Sequence, residues 1–177
     1  MSLDPARPEP ASLLADAAGG NADALARLMA LHDGSMRRIC MVITGDTAMV
    51  DEAVQLAWVR AWRRMGTLRD ESRLRAWLMS IAANEARQQV RAAARRRTRE
   101  VQGALPHPAV DPSLSDDLLD LADALARLSP DDRRLIALRH LGGLSSDEMA
   151  RELGGSASSV RGRLARALER LRTELNR

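Results

Sequence analysis

The sequence lacks several residue types that other classes of protein require. Its 177 residues include one cysteine and no lysine, tyrosine or phenylalanine. A single cysteine excludes an internal disulfide and a cysteine-based metal site. Cys40 has apolar neighbours on both sides, so we expect a buried structural thiol. No apolar run approaches 18 residues and no secretory signal pattern is present, so we expect a soluble, cytoplasmic protein without membrane insertion.

Residues with catalytic or metal-binding chemistry are not grouped in the sequence. The three histidines, His32, His107 and His140, are far apart, and no second ligand accompanies any of them. We therefore expect no catalytic residue, no metal site and no cofactor. We also expect that the protein is not an enzyme by itself.

Charge is unevenly distributed along the chain. All 27 basic residues are arginine, against 24 acidic residues, and the net charge is +3. Arginine is concentrated at 95–99 and at 161–172, and acidic residues lie between these blocks, at 111–132. Two basic blocks around an acidic middle indicate two separate surfaces that contact phosphate.

Apolar residues recur at helical spacing and never alternate as in a strand, which predicts an all-α fold. Asn21 and Thr47 are candidate N-caps of two helices. In the second of these, Val50, Val54, Ala57, Trp58 and Ala61 share one stripe. A further long helix buries the stripe Leu74, Trp77, Leu78 and Ile81 and runs into the first arginine block.

Three prolines and a glycine between residues 98 and 115 interrupt the helical pattern and predict a flexible linker. The predicted architecture is therefore two small helical domains, at 20–97 and 116–177, joined by the linker 98–115. A proline-rich N-terminal stretch, 1–19, is expected to be a disordered tail. We expect the two domains to tumble semi-independently in the free protein, or to be held together only by a regulator.

The segment 142–166 predicts a helix-turn-helix. Ser145 and Glu148 have the spacing of a capping box, and Gly154-Gly155 supplies the backbone that ends the first helix. Ser156 can cap the second helix, whose apolar stripe leaves serine and arginine side chains outside. Such a helix enters the major groove by its N-terminal residues. The alternative is an ordinary helical hairpin with a solvated arginine face.

Four segments in order resemble the extracytoplasmic-function (ECF) group of bacterial RNA polymerase sigma factors, over residues 20–177. Residues 51–62 are similar to the family's core-polymerase-binding helix, and residues 74–84 to its promoter-melting segment. Residues 128–145 and 159–164 follow its C-terminal pattern. Leu56 stands where the family usually has an acidic residue.

The resemblance implies a sigma factor that directs promoter-specific transcription initiation. Its partners would be core polymerase, through the clamp helices of the largest subunit and the flap, promoter DNA and an anti-sigma factor. The predicted core-binding residues are Asp51, Glu52, Gln55, Arg60 and Arg63. The predicted minus-10 residues, which would follow the backbone and meet a base edge, are Asn84, Arg87 and Arg91. The predicted minus-35 residues are Ser158, Ser159, Arg161, Arg163 and Arg166.

Two other functions are compatible with parts of the sequence. A stand-alone helix-turn-helix regulator would bind duplex DNA as a dimer, but such a regulator needs no core-binding helix. The other is a protein that mimics a sigma factor and sequesters a regulator. The arginines on the second helix of the predicted helix-turn-helix argue against it, because such a protein need not bind DNA.

Overall fold

The computed structural model describes residues 13–99 and 116–177, and every regular element in these two ranges is helical. Four helices lie before residue 100: α1 (Leu13–Ala18), α2 (Ala22–Thr44), α3 (Thr47–Arg64) and α4 (Leu74–Arg99). Four lie after residue 115: α5 (Asp116–Arg127), α6 (Pro130–His140), α7 (Ser146–Leu153) and α8 (Ala157–Leu175). Two short 3₁₀ turns, Met65–Thr67 and Glu71–Arg73, connect α3 to α4.

Capping side chains set the helix ends in the N-terminal domain. The Asn21 carboxamide oxygen accepts hydrogen bonds from the backbone N–H groups of Asp23 and Ala24, at 3.0 and 3.1 Å, as its sequence position predicts. The cap of α3 is Asp46, whose carboxylate accepts from the backbone of Met49 at 2.9 Å. The prediction of Thr47 as the cap is therefore wrong by one residue.

The apolar stripes predicted for α3 and α4 form the centre of the N-terminal core. All five stripe residues of α3 are buried, and so are Leu74, Leu78 and Ile81 of α4. Trp77 is half-buried and packs against this core, as its place on the stripe predicts. Cys40 is fully buried, and burial raises the pKa of its thiol to about 12, which is the inert structural thiol expected.

The N-terminal stretch 1–19 is not a disordered tail over its whole length, because residues 13–18 form α1. Leu14 and Ala17 of this helix are 5% and 1% exposed and join the core, where α1 contacts α2 and the 3₁₀ turn at Met65–Thr67. Leu14 and Ala17 are three residues apart, so a helical conformation of this segment buries both side chains on one side. Residues 1–12 lie outside the described ranges.

The helix-turn-helix forms as its sequence predicts. Ser145 and Glu148 make both hydrogen bonds of a capping box, and Ser156 caps α8 by accepting from the backbone of Ser159. Gly154 and Gly155 adopt φ values of +78° and +104°, which only glycine adopts readily. Before them, Ser129 caps α6, with Pro130 at its first helical position.

The two domains pack against each other, so the expectation of semi-independent tumbling does not describe this structure. Helices α2 and α4 contact α6, and α4 also contacts α7. Buried side chains of both domains belong to one continuous apolar core. The sequence could not show this, because the linker composition says nothing about which surfaces meet. Helix α4 extends to Arg99, and the rest of the predicted linker, 100–115, lies outside the described ranges.

None of the helices in the described ranges combines the length and the apolar character that crossing a membrane requires.

Candidate nucleic-acid and protein interfaces

The N-terminal half of α8 presents its predicted residues to solvent. Val160, Leu164 and Ala167 are buried against the rest of the C-terminal domain. This orientation leaves the five predicted minus-35 residues exposed: Ser158, Ser159, Arg161, Arg163 and Arg166. Helical periodicity alone places them together on one face.

Ion pairing divides α8 into two halves. Arg170 pairs with Asp132 at 2.6 Å, and Arg172 pairs with Glu169 at 3.3 Å. In the described ranges, Arg161, Arg163 and Arg166 have no carboxylate within ion-pair distance. The end of the helix that would enter a groove therefore carries three uncompensated positive charges, which suits a polyanionic partner.

The predicted minus-10 residues lie on α4, but two of them already have a partner. Arg87 forms an ion pair with Asp131 of α6, and Arg91 lies 3.6 Å from the same carboxylate. Burial favours the neutral form of Asp131, but the hydrogen bond from Arg87 and the surrounding arginine charges outweigh it and lower the pKa of this carboxyl. Asn84 is half-buried three residues before Arg87.

A groove of about 320 Å³ runs beside this arginine row. Its lining combines arginine side chains with two amides and one apolar residue of α3. The residues are Leu56, Glu85, Arg87, Gln88, Gln89, Arg91, Ala92 and Arg95. Sequence reasoning missed Gln88 and Gln89. Their amides can both donate hydrogen bonds to base edges and accept hydrogen bonds from them. Their position next to Arg87 and Arg91 in the sequence could have identified them as candidate DNA-contacting residues.

The charged face predicted on α3 is only partly available to a partner. Glu52, Gln55 and Arg63 are exposed, whereas Asp51 pairs with Arg37 at 2.6 Å. Arg60 forms an ion pair with Glu85, whose residue is 4% exposed. Loss of Arg60 would leave this buried carboxylate without its ion-pair partner, so a change at Arg60 would affect the fold as well as the surface.

An apolar strip on α3, Leu56, Val59 and Trp62, faces solvent. These side chains are 41%, 39% and 56% exposed, and they lie three residues apart on one side of the helix. By contrast Trp58 is buried and donates its indole N–H to Asp33 at 3.0 Å. The strip was not predicted from the sequence, although its three residues are apolar residues of α3 that lie outside the predicted buried stripe. Exposed apolar side chains in a row mark a protein-binding surface.

Comparison with known proteins identifies the family of both helical domains. The family described as "Sigma-70 region 2" matches residues 28–96, and "Sigma-70, region 4" matches residues 118–171. The ECF RNA polymerase sigma factor SigL of Mycobacterium tuberculosis is 32% identical over 173 residues, covering 92% of this chain and 96% of SigL. The chain belongs to the sigma-70 family, in its ECF group.

Solved structures of ECF sigma factors have the same fold. CnrH, in complex with the cytosolic domain of CnrY, is 30% identical, with a TM-score of 0.67 over 93% of this chain and 95% of CnrH. RpoE of Bartonella quintana, in complex with the anti-sigma factor NepR, is 27% identical, with a TM-score of 0.71 over 85% of this chain and 96% of RpoE. CnrH of Cupriavidus metallidurans is also 30% identical in sequence over 175 residues, which is 90% of each chain.

This sigma factor binds core RNA polymerase and promoter DNA and directs transcription initiation. Sigma factors in general are not enzymes; they confer promoter specificity on the polymerase. The arginine-bearing face of α8 lies in region 4, and the α4 arginine row and the α3 strip lie in region 2.

Proposed function

We propose that this sigma factor reads the minus-35 element with the N-terminal half of α8. The observation that carries the proposal is the exposure of Arg161, Arg163 and Arg166 on a capped helix, without an acidic partner among residues 13–99 and 116–177. Arginine can grip the O6 and N7 atoms of guanine or hold phosphate. Ser158 and Ser159, at the start of the helix, would contact the DNA backbone.

The minus-10 element is assigned to α4. Arg87 and Arg91 would hold phosphates of the non-template strand, and Asn84 would hydrogen-bond a base edge. The groove amides of Gln88 and Gln89 extend this polar surface. Extruding a base from the duplex costs a few kcal/mol, which these contacts must offset for the promoter to open.

Core polymerase is assigned to the outer face of α3. The strip Leu56, Val59 and Trp62 supplies apolar area at the centre, and the exposed polar residues Glu52, Gln55 and Arg63 supply the rim. An apolar centre with a polar rim is the usual anatomy of a protein interface. Asp51 and Arg60 support this face through their pairs with Arg37 and Glu85. The partner would be the clamp helices of the largest subunit, with the flap contacting the C-terminal domain.

An anti-sigma factor is a further proposed partner. The two similar structures each hold a second protein, the cytosolic domain of CnrY in one and NepR in the other. By this likeness we infer a comparable regulator for this chain. The protein would act in the cytoplasm with the polymerase and would catalyse no reaction by itself.

Run-off transcription tests the assignment as a whole. Purified core polymerase is supplied with genomic fragments, with and without the full-length protein. Discrete transcripts that depend on the protein are expected. A protein that shifts duplex DNA as a dimer but yields no transcript with core would instead be a stand-alone regulator.

Permanganate footprinting tests the minus-10 assignment separately. The double variant Asn84→Ala with Arg87→Ala should bind core as the wild type does and fail to open the promoter. Thymine reactivity near the start site should therefore drop. Unchanged reactivity would rule out the proposed role of these two residues.

A further inference from the structure

Four arginines from three helices surround one carboxylate at the junction of α4, α6 and α8. Arg87 of α4 forms an ion pair with Asp131 of α6, and Arg91 lies 3.6 Å from the same carboxylate. Arg134 of α6 is close enough for its charge to act on Asp131, and Arg163 of α8 acts on Arg134 in the same way. These five residues are the junction cluster. In the described ranges no second carboxylate pairs with its arginines, so the cluster has a surplus of positive charge.

Arg134 is the member of the cluster without an ion-pair partner of its own. Its side chain is half-buried, and its Nε–H is buried without a hydrogen-bond acceptor in the described part of the chain. Burial, and then the positive charges of Arg87 and Arg163, lower the pKa of Arg134 to about 10, although Asp131 opposes the shift. A buried donor without an acceptor costs free energy, and so does a like charge beside it. An anion bound at this point would remove both costs.

The arrangement of the cluster favours a compact anion with several charges. Arg134 provides a half-buried cation, while Arg163 is exposed and the side chain of Arg91 is 52% exposed. The two exposed guanidinium groups can therefore turn toward a ligand that Arg134 holds from below. Guanidinium groups bind phosphate oxygens through paired N–H···O hydrogen bonds. Three such groups match a short chain of phosphates better than they match a single carboxylate.

We propose that Arg91, Arg134 and Arg163 form a binding site for a short polyphosphate. The site does not depend on the promoter contacts proposed above, because Arg134 has no part in them. Arg91 and Arg163 do belong to the proposed DNA surfaces, so a bound polyphosphate would also lower the affinity for DNA. That consequence alone rests on the proposed function.

Titration calorimetry of the full-length protein with inorganic tripolyphosphate, at constant ionic strength, tests the site. Arg134→Met removes the charge and keeps most of the apolar stem. The affinity for tripolyphosphate should fall about 10- to 100-fold, the range for loss of a hydrogen bond to a charged group. Arg163→Met, at an exposed position, should weaken binding in the same direction even if Arg134→Met folds poorly.

Arg127→Met is the matched control, because Arg127 is exposed at the end of α5, outside the cluster. It should bind tripolyphosphate as the wild type does. Equal affinities in the wild type and in both cluster variants would overturn the site. Equal losses in Arg127→Met and Arg134→Met would also overturn it, because they would show general attraction to surface arginines.

Thermal unfolding separates a binding role of Arg134 from a structural one. Without added anion, Arg134→Met should have a Tm about 2–4 °C above that of the wild type, because it removes a buried charge that lacks a partner. Tripolyphosphate should raise the Tm of the wild type and of Arg127→Met, and should leave that of Arg134→Met nearly unchanged. An undiminished rise for Arg134→Met would overturn the site.

Single-stranded 12-mers of random sequence distinguish the polyphosphate site from the DNA surface. Arg134→Met should bind the 12-mers as the wild type does. If it loses affinity for the 12-mers and for tripolyphosphate alike, the bound anion is a DNA phosphate and the separate site is wrong. If Arg91→Ala leaves 12-mer binding unchanged, the minus-10 role of Arg91 fails, whereas the calorimetry with tripolyphosphate, done without DNA, still decides the site.

Discussion

Replacing Trp62 by alanine should strongly weaken binding to core polymerase while leaving the fold intact. Trp62 is the last residue of the exposed strip on the outer side of α3, and its side chain is 56% exposed. Its indole N–H donates no hydrogen bond within the described part of the chain. A large exposed aromatic side chain on a binding face is a common anchor of an interface.

The size of the effect follows from the exposed area. A tryptophan side chain offers up to about 250 Å² of surface, of which a partner could cover about 140 Å² here. At about 25 cal/mol per Å², this burial contributes up to about 3.5 kcal/mol. Because alanine keeps part of the contact, we expect a loss of about 2–3 kcal/mol, or about 30- to 150-fold in the dissociation constant.

Titration calorimetry with purified core polymerase measures this loss. Leu31→Ala is the matched control, because Leu31 is 67% exposed on α2, outside the proposed face. Urea unfolding should give both variants a free energy of unfolding within about 0.5 kcal/mol of the wild type. Equal core affinity for the Trp62 variant and the wild type would refute the assignment of the α3 strip. Equal losses of core affinity in the Trp62 and Leu31 variants would show that exposed apolar side chains bind core non-specifically.

Three further predictions concern stability and promoter specificity. Arg60→Ala should lower the free energy of unfolding by about 1–3 kcal/mol in urea denaturation, because it leaves the buried Glu85 carboxylate unpaired, and adding Glu85→Gln should restore most of the loss. Arg161→Ala should lower the free energy of binding to the preferred minus-35 site by about 1–3 kcal/mol and relax specificity at one base position. Arg163→Ala should instead weaken binding evenly across all minus-35 sequences. Competition binding against a library of minus-35 sequences measures both effects. Burial raises the pKa of the Cys40 thiol from 9.0 to about 12, so between these pH values the folded state keeps a proton that the unfolded state loses. The free energy of unfolding should therefore fall as the pH rises above about 9. Urea titrations at about pH 8 and about pH 10 should show this decline in the wild type and not in Cys40→Ala.

Local signals in the sequence predicted local structure well. The capping box of Ser145 and Glu148 and the Asn21 cap each involve residues within one helical turn, so the sequence contains the whole interaction. The buried stripe of α3 follows from periodicity for the same reason. Each of these predictions is confirmed by the structure.

Features that depend on partners far away in the sequence could not be predicted from it. Glu85 reads as an ordinary exposed acid on α4 until α3 places Arg60 beside it. Asp131 reads as a first-turn acid of α6 until the two domains meet and it reaches Arg87. The exposure of Trp62 could have been inferred from its position off the stripe, but its aromatic character favoured burial. The site residues of α8 needed no such partner, and periodicity alone placed them on the exposed face.

The three tryptophans give this protein a set of built-in optical reporters. With no tyrosine in the chain, ultraviolet emission comes from three indoles in three different environments. Trp58 is buried with its N–H bonded to Asp33, so its emission follows folding. Trp62 is solvated, so its emission would shift to shorter wavelength when a partner covers it. Trp77 is half-buried against the core, so its emission also follows folding. Folding and polymerase binding could thus be followed separately, without an attached dye, in variants that keep only Trp58 or only Trp62.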